Sequence, residues 1–94
     1  MIQKRKSYTL TVLTDPGHGW FKIKRSHLRD LDIEDKISVL SYQRGDFVYL
    51  EEDDDAGVYL DALEQFCGHR NFKVIERNAA VRYSRVRTYD YYTP

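Results

Sequence analysis

The chain has 94 residues, is 41% hydrophobic and 14% aromatic, and has no net charge at neutral pH, which reads as one domain spanning residues 1–94 around one modest core. A single cysteine excludes an internal disulfide framework and fits a reducing compartment. No apolar run approaches membrane-spanning length, and the basic start is not followed by a secretory h-region, so the expected location is the cytoplasm, with no membrane partner.

The neutral total hides poles. Residues 1–30 hold seven Lys/Arg against two acids, residues 31–67 two against eleven, and residues 68–94 six against two. The chain is therefore basic at both ends and acidic in the middle.

Lys4-Arg5-Lys6 reads as a frayed basic start, so residues 1–6 are expected to be flexible. Tyr8 to Leu13 alternates, with Tyr8, Leu10 and Val12 on one face, and reads as a first strand. Asp15-Pro16-Gly17-His18-Gly19 is a turn in which Pro presets the second position and Gly is expected to supply positive φ at the third. Trp20 to Lys24 is the second strand of a hairpin, with Phe21 and Ile23 inward. Ser26 can cap a short helix from His27 to Leu31, and Ile33 anchors its exit. Lys36 to Tyr42 and Asp46 to Leu50 read as two strands joined across Gln43-Arg44-Gly45-Asp46.

From about Asp54 to Cys67, Ala56, Tyr59, Leu60, Leu63, Phe66 and Cys67 recur at helical spacing, and Gly68 stands where a helix-ending glycine belongs. Phe72 to Glu76 and Val81 to Arg87 are expected to form a last hairpin, and residues 88–94 a flexible tail. The expected order is β-β-α-β-β-α-β-β, an α+β fold with an antiparallel sheet and the long helix on one face.

The acidic pole is concentrated in Glu51, Glu52, Asp53, Asp54 and Asp55 at the helix entry. One or two carboxylates there serve as a cap and complement the helix dipole. Five exceed that need, and Asp54, Asp61 and Glu64 extend the charge along the face opposite Tyr59, Leu60 and Leu63. Such a ridge is either a solvated helix face or a surface for a partner with a basic face.

The basic-aromatic set is Arg77, Arg82, Tyr83, Arg85, Arg87, Tyr89 and Tyr91, joined by Tyr92. Arginines contact phosphates and tyrosines stack on bases, so a nucleic-acid interface is the alternative site. The competing reading pairs these arginines with the acidic ridge, within one molecule or between two copies in a homodimer.

Catalytic and metal signatures are weak. His18, His27 and His69 lack ligand spacing, and the sole thiol cannot make a structural zinc site alone, so no metal and no cofactor is assigned. Cys67-His69 could suggest a nucleophile and base, but Cys67 continues the apolar stripe and reads as core. The expectation is a non-enzymatic protein.

Gly17-His18-Gly19-Trp20, Ile37-Ser38 with Ser41-Tyr42, and Tyr49-Leu50-Glu51-Glu52-Asp53-Asp54-Asp55 together resemble small uncharacterised proteins of phages and other bacterial mobile elements. The shared pattern is G-H-G-W, I-S-x-x-S-Y and Y-L-E-E-D-x-D, covering residues 15 to about 63. The resemblance implies an origin, and by analogy a protein that occupies a host protein with a basic surface, as anti-CRISPR inhibitors and nucleic-acid mimics do.

Overall fold

A computed structural model describes residues 8–79 and 83–94. Two strands, β1 (Tyr8–Thr14) and β2 (Gly19–Lys24), pair antiparallel across the Asp15–His18 turn. Gly17 does not have the positive φ expected of it. It is glycine where space is short, because a Cβ there would lie 3.0 Å from Arg87 Nη2.

Helix α1 (Arg25–Asp30) follows directly, with Lys24 at its N-cap and no side-chain cap from Ser26. Leu28 and Ile33 are buried as the pattern requires. The expected strand from Lys36 does not form. A 3-10 turn occupies Glu34–Lys36, and only Tyr42–Arg44 extends as β3. Its partner β4 (Phe47–Glu51) returns across a turn in which Gly45 takes φ 58°.

Helix α2 (Asp55–Cys67) buries Ala56, Tyr59, Leu63 and Cys67 and stops at Gly68, whose φ of 80° is the left-handed cap. It carries the chain over the sheet to β5 (Phe72–Asn78), which pairs with β1 in parallel, Leu10 opposite Val74. The sheet is therefore mixed, because a helical crossover returns the chain in its original direction. The expected hairpin after β5 is absent from the described residues. Residues 80–82 lie outside them, as do residues 1–7, and Arg85–Thr88 is a 3-10 turn. The tail is built into the fold: β6 (Asp90–Tyr91) pairs with β3, and Tyr92 is only 1% exposed. Among the described residues the sheet has six strands in the order β5-β1-β2-β4-β3-β6.

Strand alternation divides the apolar side chains between two cores. Leu10, Ile23, Val48 and Leu50 meet the helices, together with Leu28, Tyr59, Leu63 and Tyr92. On the opposite face Trp20, Tyr49 and Val86 form a second cluster, flanked by Leu13, Tyr42, Phe47 and Tyr89. The C-terminal turn covers a face that the sequence pattern left open.

Candidate functional site

The acidic stretch separates into three groups. Asp55, 4% exposed, is the first residue of α2 and points inward. It accepts from the backbone N–H and hydroxyl of Ser38 and from the Ser41 hydroxyl at 2.5 Å. Ser41 Oγ in turn accepts from Glu51 N–H at 3.0 Å. Charge-assisted bonds of this kind hold residues 38–41 in a loop and displace the strand expected there. Asp55 is therefore structural and leaves the ridge.

Glu51 also turns inward and is 8% exposed. Its Oε2 accepts from Asp53 N–H at 2.9 Å, and its Oε1 lies 3.6 Å from His18 Nδ1. Glu52, Asp53 and Asp54 are exposed on the turn between β4 and α2. Asp54 takes the N-cap position, yet its side chain makes no cap bond.

The helix-face acids are matched from within the chain. Arg70 Nη1 bonds Asp61 at 3.0 Å and Glu64 at 2.6 Å. The continuous ridge thus reduces to Glu52, Asp53 and Asp54, with Glu51 behind them.

The basic-aromatic set is also divided. Arg87 grips Asp15 through Nε at 2.6 Å and Nη2 at 2.9 Å. Asp15 accepts as well from the N–H groups of Gly17, His18 and Ser84. The guanidinium above all holds the Asp15 carboxyl well below the usual carboxylate range. Tyr89 packs on Tyr49 at 4.9 Å, under Arg44, while Tyr91 stacks on Tyr42 at 5.5 Å and stays exposed. Tyr83 and Arg85 are exposed, and Arg82 lies outside the described residues. Arg77 sits on β5, five strand positions from β6, about 24 Å at the usual strand spacing. Arg77 and Tyr91 therefore do not share one surface.

One cleft gathers what remains. His18, Trp20, Leu40, Tyr42, Glu51, Asp53, Asp54 and Arg87 line an open cavity of about 310 Å3. The hairpin turn supplies His18, whose N–H is held by Asp15. Buried Trp20 and half-buried Tyr42, edge to face with ring centres 6.2 Å apart, supply an aromatic wall. The serine-pinned loop supplies Leu40, which like Val39 is more than half exposed. Since Asp15 matches Arg87, the three lining carboxylates leave the cleft net negative. Sequence reasoning placed Glu51, Asp53 and Asp54 in a site. It missed His18, Trp20, Leu40 and Tyr42, whose meeting depends on strand order, although the Ser38/Ser41 spacing and Asp55 were visible.

The structure contains no helix long and apolar enough to cross a membrane among the described residues. In comparisons with known proteins, no family model, no curated protein and no solved structure matches the chain.

Proposed function

We propose that this is a non-enzymatic binding protein of a phage or mobile element that occupies a basic surface of a host protein through the His18–Asp54 cleft. The observation that carries the reading is the cleft itself: exposed Asp53 and Asp54 and buried Glu51 stand beside Trp20, Tyr42 and Leu40. A lysine or arginine fits such a place, because its apolar stem lies along aromatic rings while its head meets carboxylates. The charges set the rate and selectivity of encounter, and the apolar wall supplies affinity. The phage resemblance supports this placement, since residues of its three stretches (His18 and Trp20; Tyr42; Glu51, Asp53 and Asp54) line the cleft.

The test is capture of a partner from bacterial lysate by immobilised protein, compared with a variant carrying Glu52→Lys, Asp53→Lys and Asp54→Lys. A folded variant that captures the partner undiminished overturns the proposal. The nucleic-acid alternative has its described arginines divided, Arg77 on the β5 edge and Arg85 and Arg87 on the C-terminal turn, with Arg87 committed to Asp15. Salt-sensitive retention of an oligonucleotide, abolished by Arg85→Ala and Tyr91→Ala, would favour it instead.

A further inference from the structure

We infer that the cleft contains a divalent transition-metal site formed by His18, Glu51 and Asp53, and that Zn2+ is the ion it takes best. One ligand atom from each residue lies within 4.8 Å of the others. His18 Nδ1 lies 3.6 Å from Glu51 Oε1. Ligands about 2.0–2.2 Å from a tetrahedral zinc are roughly 3.4 Å apart, so the first pair stands near its bonded separation. The exposed Asp53 side chain has only to swing inward.

A second observation concerns Glu51. Its side chain is 11% exposed, with Oε2 accepting from Asp53 N–H at 2.9 Å and Oε1 turned toward His18 Nδ1 at 3.6 Å. A carboxylate largely withdrawn from water gains from a cation placed beside it.

The donor set narrows the ion. Imidazole favours zinc, copper, iron and nickel, whereas magnesium and calcium prefer all-oxygen sites. Two carboxylates balance a 2+ charge, and the open side of the cleft leaves room for water or a ligand group in the fourth position. The backbone is already fixed for the purpose: Asp15 accepts from His18 N–H at 3.0 Å, and Glu51 Oε2 accepts from Asp53 N–H at 2.9 Å. The first contact fixes the His18 backbone and the second orients the Glu51 carboxylate itself. The inference stands on this geometry whether or not the cleft receives a basic partner.

The experiment titrates chelator-stripped protein with zinc sulfate, followed by calorimetry and by fluorescence of Trp20, the sole tryptophan, whose ring centre is 6.0 Å from His18. Saturable one-to-one binding is expected, weakened at least tenfold by His18→Ala and separately by Asp53→Ala. Both side chains are on the surface, so thermal unfolding should show each variant folded, and His69→Ala should bind as the parent does. Absence of saturable binding below about 1 mM zinc, or affinity indifferent to His18→Ala and Asp53→Ala, overturns the inference. Magnesium chloride binding as tightly as zinc sulfate overturns the choice of ion. Zinc-free protein that still captures a host partner leaves the binding reading intact whatever the titration gives.

Discussion

Asp15→Asn tests how the two ends of the chain are joined. The Asp15 carboxylate, 6% exposed, accepts five hydrogen bonds, three to backbone N–H groups and two to Arg87. An asparagine that keeps its carbonyl toward Gly17 and His18 turns an NH2 group on Ser84 N–H and Arg87 Nε, two donors facing a donor. Breaking one partner of a buried pair costs about 3–5 kcal/mol. Arg87 retains some access to water, with its side chain 29% exposed, which places the loss near the lower end, about 3 kcal/mol. For a domain of this size that corresponds to a fall in Tm of about 12–24 °C. Circular dichroism melts at pH 7 measure it, and near-ultraviolet signal follows Trp20, over which Arg87 lies at 5.3 Å. The sign with pH is fixed. Asp15 is more acidic folded than unfolded, so its contribution is complete above about pH 4 and fades as pH falls below the unfolded value. The gap between parent and variant should close in acid. A Tm change under about 4 °C at pH 7 would refute the reasoning.

Ser41→Ala removes the donor to Asp55 and the acceptor for Glu51 N–H, and should cost roughly 1–3 kcal/mol in urea unfolding. Gly57→Ala in α2, where an added Cβ meets nothing within 4 Å, should stabilise by about 0.4–1 kcal/mol in the same assay. Arg70→Ala leaves Asp61 and Glu64 without this guanidinium at little cost to stability, and should strengthen retention on an anion-exchange matrix. Tyr92→Ala removes a buried ring that donates to the Glu34 carbonyl and should cost about 3–5 kcal/mol by thermal melting.

Much of the fold was legible where local periodicity decides. Alternation from Tyr8 to Val12 gave β1, and the apolar stripe ending at Gly68 gave α2 to within a residue. The reading failed where distant groups decide. Lys36 to Ser41 is β-prone in composition, but Ile37 is buried and two serines answer to Asp55, so the chain is held in a loop. Asp15 and Arg87 stand 72 residues apart, beyond any local signal, and their bond assigns the C-terminal turn to the Trp20 face. The acidic run looked uniform because charge counting cannot tell which carboxylates point inward. Glu51 lies on a strand and Asp55 on the buried side of a helix, while their neighbours occupy the turn between.

The strand order has a further consequence for how the protein is made. Among the described residues the four inner strands precede α2, while both borders, β5 and β6, follow it. A chain made from its N-terminus can therefore assemble a middle but must carry two raw margins until β5 and then β6 have been made. Truncation after Tyr91 would delete the buried Tyr92 and leave that seam unsewn.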